Sequence, residues 1–241
     1  MILKDFPETK QHAHFPLLLV VDEKKRTRRR NIMKNTNSLI YCAFVIFLSL
    51  VFFGCAIGTT KVSVNHAPII KIESKKEGNL LVKRFTDKRP VTAFIGNKRN
   101  GYGMVVGNIG LQDGILLEDL LTQYFAEALR EAGYNAVIDK DRQQFPQQNI
   151  KFDAVIDGQI VEFWLDLYMA VWHRVGVVIR VLDPDSNKVL WENIMEGAEK
   201  RVLWIGATGE YERIIREALT KALNRAAEEF ASDRFQQAIK K

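Results

Sequence analysis

Four charged side chains suited to ligand contact lie in one glycine-rich segment, residues 86–114. They are Asp87, Arg89, Lys98 and Arg99. Glycine frees the backbone for turns, and the N–H groups and cations of such a loop can cradle an anion. Two interpretations follow. The segment contacts a ligand or partner, or it is a surface loop that an Asp87–Arg89 ion pair orders.

The same segment does not have the sequence of a nucleotide-binding P-loop. Gly96 and Gly101 have the spacing of the two glycines in that motif. Tyr102 and Gly103 then stand where the motif requires Lys and Ser or Thr, whose side chains contact phosphate and magnesium. The glycine spacing alone therefore does not predict phosphate binding.

Residues for metal-dependent or nucleophilic catalysis are scarce after Cys55. His66 and His173 are the histidines there, and no cysteine pair accompanies them, so a usual zinc site is not predicted. No serine stands in a nucleophile-elbow pattern. His173 shares its strand parity with valines, and we expect a hydrogen-bonded histidine within a sheet. Acidic residues on the predicted strands are expected to be solvated, so no pair of catalytic carboxylates is predicted.

Tryptophans form a second candidate site. Trp164, Trp172 and Trp191 fall on three successive predicted strands. In one interpretation they pack against one another across the strands. In the other they form an aromatic patch that docks a protein partner or a glycan, because aromatic residues are enriched at interfaces. The alternation of the middle strand puts Trp172 and Arg174 on its polar face.

An apolar stretch, residues 39–53, predicts where the protein resides. Its fifteen residues carry no charge, and a helix of that length falls short of a hydrocarbon core of roughly 30 Å. The stretch has the length of a signal-peptide core and follows Lys34. Read from Met33, the order is a short basic region, the apolar core and Cys55. The alternative is an uncleaved helix over residues 39–58, which is just long enough to span a bilayer.

The sequence Phe52-Phe53-Gly54-Cys55 resembles the lipobox of bacterial lipoproteins. The resemblance implies cleavage before Cys55 and attachment of fatty acyl chains, palmitate among them, to that residue. Ala56, in place of Asp after the cysteine, is similar to lipoproteins that are sorted to the outer membrane. The predicted organisation is a mis-called extension (1–32), a signal peptide (33–54), a lipidated tether (55–77), a folded periplasmic domain (78–232) and a polar tail (233–241).

The net charge of the predicted mature chain is close to zero. The full chain has 35 Lys and Arg against 29 Asp and Glu, and residues 1–54 hold 9 of the bases and 4 of the acids. This leaves 26 bases and 25 acids from Cys55 onward, a net charge of +1. Nucleic acid is therefore not an expected partner. No cofactor is implied, and no disulfide framework is expected because Cys55 is the one cysteine of that part.

Hydrophobic periodicity predicts an α+β fold. Apolar residues recur at helical spacing in residues 115–132 and 210–231. Strands are predicted at 79–85, 134–138, 153–165, 169–182 and 188–199. Short turns join the last three strands and predict a three-strand meander. The expected architecture is a mostly antiparallel sheet with two amphipathic helices packed on one face.

The order of these elements resembles the YajG-type lipoproteins of Gram-negative bacteria. The features that carry the resemblance are Cys55, the Phe-x-Asp-x-Arg motif from Phe85 to Arg89, Ile95-Gly96, Ala132-Gly133-Tyr134 at a helix end, the meander and the last amphipathic helix. The resemblance covers about residues 78–232. It implies a periplasm-facing, non-enzymatic domain in the cell envelope.

The first functional hypothesis is an outer-membrane lipoprotein, anchored through lipid on Cys55, whose domain binds an envelope protein or component. An accessory lipoprotein of an envelope transport or assembly machine is the alternative within this class. A lipid-anchored envelope hydrolase and a single-span inner-membrane protein are the alternatives from other classes. Self-association into a homo-oligomer stays open.

Overall fold

A long central strand, β7, organises the folded part of the chain. The computed structural model describes residues 58–73, 76–140, 150–202 and 208–240, together with Phe44. The chain divides into two units, Met1–Cys55 and Ala56–Lys241, and all the elements below belong to the second. Within the described ranges, no helix has both the length and the apolarity needed to cross a bilayer. Apart from Phe44, the apolar stretch lies outside these ranges.

Nine strands form one sheet, and three helices lie wholly within the described residues. The strands are β1 (Thr60–Val62), β2 (Asn79–Val82), β3 (Thr86–Asp87), β4 (Gly96–Arg99), β5 (Val105–Leu111), β6 (Asn135–Ile138), β7 (Ala154–Tyr168), β8 (Ala170–Leu182) and β9 (Val189–Arg201). The helices are α1 (Leu117–Glu131), α2 (Thr208–Phe230) and α3 (Asp233–Ile239).

Both edges of β7 are paired. One edge pairs antiparallel with β8 along its length, from Val155 opposite Leu182 to Tyr168 opposite Ala170. The other edge pairs parallel with β2, then β3, then β4. β6 extends the sheet beyond β2, β5 and β1 extend it beyond β4, and β9 pairs antiparallel with β8. β7 is thus the strand through which the two halves of the sheet are joined.

The sheet is mixed, which corrects the mostly antiparallel sheet predicted from the sequence. β7 pairs parallel with β2, β3 and β4, and the β1–β5 and β2–β6 pairs are parallel as well. A tight turn marks an antiparallel pair in a sequence, whereas parallel partners are joined by long connections. No short stretch of the sequence therefore indicates these parallel pairings.

The glycine-rich segment contains three strands, which corrects the long loop, with at most one brief strand at 104–106, predicted there. β3, β4 and β5 all lie within it. A Cβ atom on Gly96 would lie 2.1 Å from the carbonyl oxygen of Leu165, and one on Gly107 would lie 2.2 Å from that of Gly58. Glycine at these two positions permits close approach of neighbouring backbones, which is one of its uses inside strands.

α1 and α2 cover one face of the sheet. Leu121 and Phe125 of α1 and Ile215 and Leu219 of α2 are fully buried. They join the inward-facing side chains of β7 and β8 in one hydrophobic core, whose burial drives folding. We call this side of the sheet the helix-covered face, and the side that no described helix covers the open face. The open face has a separate apolar cluster of Leu81, Val155, Leu182 and Phe152.

Parts of the predicted tether and of the predicted polar tail pack against the folded domain. β1 and the buried side chains of Val62 and Val64 lie in the predicted tether. α3 occupies most of the predicted polar tail, and the Phe235 ring packs 4.9 Å from that of Phe230. Ser232 caps α3 by accepting a hydrogen bond from the Phe235 N–H. The regular element in each segment is short, three residues in β1 and seven in α3, so hydrophobic periodicity could not predict the burial.

Candidate functional site

Asp87 and Arg89 form a buried, bidentate ion pair. The exposed fractions of their side chains are 7% for Asp87 and 4% for Arg89. Arg89 Nε donates to Asp87 Oδ1 at 2.9 Å, and Nη2 donates to Oδ2 at 2.7 Å. Two parallel hydrogen bonds are the strong geometry for a guanidinium and a carboxylate. The pair lies where the chain leaves β3, the short strand beside β7.

The other N–H groups of Arg89 bind backbone carbonyls. Nη1 donates to the carbonyl oxygens of Phe94 and Phe163, each at 3.0 Å, and Nη2 reaches that of Thr92 at 3.5 Å. The guanidinium therefore ties the loop after β3 to β7, and its donors are already engaged. This geometry agrees with an ion pair that orders the loop. Ligand contact by Asp87 and Arg89 stays a prediction.

Lys98 and Arg99 each bind a neighbouring strand. Lys98 is buried, and its Nζ donates to Thr60 Oγ1 of β1 at 2.8 Å. Arg99 Nε donates to Asp166 Oδ1 of β7 at 3.0 Å. Both cations thus hold strands together, and their contact with a ligand or partner stays a prediction.

A cavity of about 530 Å³ opens beside the Asp87–Arg89 pair. Lys61 and Asp113 also line it and form an ion pair with each other. The two cationic residues of β4 are not among its described lining residues. The four charged residues that the sequence singled out therefore do not converge on one anion site.

Trp191 lies on the helix-covered face, away from the other two tryptophans. It is buried, and its ring centroid lies 5.0 Å from that of Phe235, edge to face. In the sheet register it stands opposite Val181, a fully buried residue of the same face. Trp191 therefore does not share a face with Trp164 and Trp172, because alternation places β9 side chains of this parity under the helices. Its contact with a ligand or partner stays a prediction.

Trp164 and Trp172 lie on the open face, together with Arg174. Trp164 stands opposite Arg174 in the β7–β8 register. The guanidinium carbon of Arg174 lies 5.1 Å from the ring centroid of Trp172, within range of a cation–π interaction. Both tryptophans are half-buried. We call these three residues the aromatic patch.

An apolar groove of about 440 Å³ adjoins the aromatic patch. Pro90, Val91, Val161 and Trp164 supply its apolar lining, and Arg89, Glu162 and Phe163 complete it. The β7–β8 register shifts between Ile160 and Glu162, which marks a β-bulge. A bulge places an extra residue in one strand and redirects the side chains beside it. Sequence reasoning missed Val91 and Val161, because no local pattern indicates a bulge or the loop that faces it.

His173, predicted as a hydrogen-bonded histidine within a sheet, is fully buried there, close to the backbone of Trp164 but without good hydrogen-bond geometry to it. Neither ring nitrogen has a hydrogen-bond partner within the described part of the chain. The ring packs edge to face against Phe163, with the centroids 4.6 Å apart. Burial lowers the pKa of His173 to about 3, the charge of Arg89 acts in the same direction, and the nearby backbone of Trp164 opposes both. His173 is therefore neutral at physiological pH.

Acidic residues of the central strands are paired with arginines. Arg180 Nη2 lies 3.1 Å from Asp157 Oδ2, and Arg180 Nε lies 3.8 Å from Glu192 Oε2. Over the described ranges, no group of three His, Cys, Asp or Glu side chains is arranged to hold a metal ion. The geometry thus shows cross-strand ion pairs at these positions.

Cys55, the predicted lipidation site, lies outside the described residues, and acylation stays a prediction. The continuous described chain begins three residues later at Gly58. Its carbonyl oxygen accepts a hydrogen bond from the Asn108 N–H at 3.3 Å. The start of the folded unit is therefore fixed beside β5.

No family model matches the chain, and no curated protein matches it significantly. Among solved structures it is similar to protein XCC0632 from Xanthomonas campestris, described with the family model DUF330, with a TM-score of 0.54 and 13% identity over 74% of this chain and 97% of that one. At this identity the likeness concerns the fold alone.

Two further solved structures are less similar. Lipoprotein GNA1162 from Neisseria meningitidis has a TM-score of 0.34 and 14% identity over 61% of this chain and 99% of that one. The PelC dodecamer from Paraburkholderia phytofirmans has a TM-score of 0.34 and 12% identity over 67% of this chain and 96% of that one. At these TM-scores neither likeness supports an inference about this chain.

Proposed function

We propose that this protein is an outer-membrane lipoprotein of the YajG type, anchored through acyl chains on Cys55, whose periplasmic domain binds another envelope protein without catalysing a reaction. The anchor is supported by the order of basic region, apolar core and Phe52-Phe53-Gly54-Cys55. Binding is supported by the aromatic patch on the open face of the sheet.

The aromatic patch is the observation that carries the binding proposal. The helices bury one face of the sheet, whereas the open face presents Trp164, Trp172 and Arg174 side by side. Tryptophan and arginine are the residue types that most often dominate the energy of protein interfaces. A half-buried indole needs little further ordering on binding, because the strand already fixes its backbone.

The adjoining groove fits an apolar anchor of a protein partner better than a sugar. Sugar binding needs several convergent polar groups that are free to hydrogen-bond. The donors of Arg89 are already engaged, and the carboxylate of Glu162 lies 3.9 Å from Arg174. Pro90, Val91 and Val161 instead offer apolar surface. We therefore assign the groove to an aliphatic or aromatic side chain of the partner.

Site-specific photocrosslinking in Gram-negative cells tests the binding proposal. A photoreactive amino acid replaces Val91 in the full chain, and the matched control carries it at Glu228, an exposed residue on α2. We expect one discrete heavier adduct from position 91 and none from position 228. Adding Trp172→Ala should lower the yield at position 91 about tenfold or more, as for a hot-spot residue. Equal adducts at both positions, or an adduct indifferent to Trp172→Ala, would contradict the proposal.

Mass spectrometry of the protein extracted from membranes tests the anchor. We expect a chain that begins at Cys55 and carries acyl chains. An intact mass that includes residues 1–54 and no acyl adduct would overturn the lipoprotein assignment and favour a single-span protein.

A further inference from the structure

Exposed apolar side chains are gathered at one end of the sheet. The exposed fractions of Tyr102, Met169 and Met104 are 90%, 79% and 60%. Clustered apolar exposure of this kind marks an interaction surface, whereas scattered exposed apolar residues need no explanation. We call the set the apolar tip, and its members are Tyr102, Met104, Val105, Tyr168, Met169 and Val202.

The strand pairings bring the apolar tip together. Tyr102 and Met104 lie in the turn between β4 and β5, and Met169 lies in the turn between β7 and β8. β4 and β7 are parallel neighbours, so both turns leave the sheet at the same end. A Cβ atom on Gly103 would lie 3.9 Å from Tyr168 Cε2, which places the two turns in contact. Val202 follows β9 at this end, where that strand pairs with the start of β8.

The apolar tip is held in a defined shape. Asn100 Oδ1 accepts hydrogen bonds from the N–H groups of Tyr102 and Met104, each at 3.0 Å. Arg99 Nη1 donates to the carbonyl oxygen of Gly103 at 3.1 Å. Met169 has a φ of 48°, a left-handed conformation that favours Gly or Asn over a long apolar side chain. An exposed methionine at such a position points to a role for its side chain.

Gly58, where the continuous described chain begins, lies at this same end. Gly58 lies against Gly107 and Asn108. β1 runs parallel to β5, and the tip residue Val105 begins β5 two positions before Gly107. Gly58 therefore lies at the end of the sheet that carries the apolar tip. Cys55 is three residues before Gly58, a reach of at most roughly 11 Å.

We propose that the apolar tip docks on the lipid bilayer that holds the acyl chains of Cys55. This inference rests on the proposed lipid anchor and adds a second, non-covalent membrane contact. The anchor delivers the apolar tip to the bilayer surface. Tyrosine and long apolar side chains prefer the headgroup region and its acyl boundary. The charges of the strands that lead into the two turns, Arg99 and Asp166, are paired with each other, and Arg201, next to Val202, is paired with Glu217. Lys200 is exposed at the same end, and a lysine at this depth can stay in the headgroup region beside anionic lipid.

Docking in this way orients the domain. Strand β7 ends at the tip and begins at the opposite end of the sheet, 15 residues away, which is about 50 Å at the usual rise per residue. The β8–β9 turn near Asp185 would then point away from the membrane. The aromatic patch would lie close to the bilayer, because Trp172 is three residues from Met169.

Spin-label accessibility tests the docking. The full chain is produced in Gram-negative cells as Met169→Cys or, as the matched control, Asp185→Cys in the turn at the far end. In the lipidated protein the sulfur of Cys55 is blocked and Cys42 has been removed with the signal peptide, so one nitroxide is attached. The protein is reconstituted into phosphatidylethanolamine–phosphatidylglycerol vesicles. We expect the label at 169 to be shielded several-fold from a water-soluble nickel complex and accessible to oxygen, and the label at 185 to show the reverse.

Two outcomes would overturn the docking and can be told apart. An acylated protein whose labels at 169 and 185 are equally open to the nickel complex retains its anchor but has no membrane-docked tip. A protein without an acyl adduct loses the anchor and, with it, the docking. A second label at Tyr102→Cys tests whether the shielding at 169 is confined to the β7–β8 turn. The docking requires this label to be shielded from the nickel complex as well.

Discussion

The guanidinium of Arg89 shows how one buried charge can organise a loop. It is paired with Asp87 and also donates to carbonyl oxygens of the loop and of β7. A buried charge is tolerated when its partner and its hydrogen bonds are complete. The side wall of the groove, Pro90 and Val91, belongs to the loop that these hydrogen bonds hold. The ion pair therefore shapes the proposed binding surface from beneath.

Removal of the Arg89 side chain should destabilise the protein strongly. Arg89→Ala leaves the buried Asp87 carboxylate without its counter-charge, with the backbone N–H of residue 89 still donating to Oδ1, and we expect a loss of about 3–5 kcal/mol in the free energy of unfolding. Arg225→Ala is the matched control, because Arg225 and Glu196 form an exposed pair whose loss should change stability little. Urea denaturation measures both variants. Similar small losses in the two would show that the Asp87–Arg89 pair does not hold the loop.

His173 should make the stability of the protein depend on pH. Its folded-state pKa, about 3, lies below the ordinary histidine value of 6.5. Below pH 6.5 the unfolded chain binds a proton that the folded chain excludes, so stability is complete above that pH and falls as the pH drops toward 3. The expected loss is about 1.4 kcal/mol per pH unit across that window.

A core substitution should remove this pH dependence. His173→Phe keeps a ring in the site and has no group to protonate. We expect its unfolding free energy to fall less steeply between pH 6 and pH 4 than that of the unmodified protein, as measured by urea denaturation at each pH. Parallel pH profiles for the two proteins would mean that His173 is not the group responsible.

The β9–α2 contact depends on a glycine. A Cβ atom on Gly197 would lie 2.0 Å from the carbonyl oxygen of Ala218 in α2. The small side chains of that helix surface, Ala218 and Ala222, are fully buried. α2 therefore lies directly on the backbone of β9, and its position over the sheet is fixed by the absence of a side chain.

Gly197→Ala should push α2 away from the sheet. Overpacking of this kind costs typically about 1–3 kcal/mol, and we expect the upper end because the clash is with backbone. Gly101→Ala is the control, since nothing lies within 4 Å of a Cβ atom at that position. Thermal unfolding measures the Tm of both variants, and we expect a lower Tm for Gly197→Ala than for Gly101→Ala. A Tm for Gly197→Ala as high as that for Gly101→Ala would contradict the packing described.

α3 illustrates why the packing of the polar tail was not predictable from the sequence. Its seven residues give fewer than two turns of pattern, too few to reveal a buried face. The tertiary structure supplies the missing partners, because Phe235 lies among Phe230, Tyr134 and Trp191. An aromatic cluster of this kind joins α3, α2 and β9 at one end of the core.

The whole sheet depends on β7, which pairs with β8 on one edge and with β2, β3 and β4 on the other. Opening β7 requires both halves of the sheet to separate. Its amides should therefore exchange only through global unfolding, whereas those of β1, which pairs with β5 alone among the described strands, should open locally.

Hydrogen–deuterium exchange of the full chain measures this difference. We expect the peptides that cover β7 and β8 to exchange most slowly and those that cover β1 to exchange much faster. Substitution of Gly197 by Ala should accelerate exchange in β7 and β8 together, since their opening is governed by global stability. Equally fast exchange in β7 and β1 would contradict the proposal that β7 opens only when the whole sheet unfolds.

Local sequence patterns were sufficient to predict the main helices and strands, but they could not predict how the strands pair. The helices predicted at 115–132 and 210–231 correspond to α1 (Leu117–Glu131) and α2 (Thr208–Phe230), because apolar residues repeat there over several turns. The mixed character of the sheet was not predictable, because parallel strands are joined through distant parts of the chain. For the candidate site, Trp164, Trp172 and Arg89 were singled out from the sequence, whereas the groove residues Val91 and Val161 and the grouping of all of them were not.

The amino-acid order alone determines the near-zero charge after Cys55, the signal-like segment before it, and the helices and long strands of the folded part, since each is a property of neighbours along the chain. Tertiary structure decided that Arg89 is engaged by its own loop, that Trp191 lies under the helices while Trp164 and Trp172 face outward, and that two turns and the start of the folded unit meet at one end of the sheet. Such groupings depend on strand register and on which face is buried, and both are set by contacts between residues far apart in sequence.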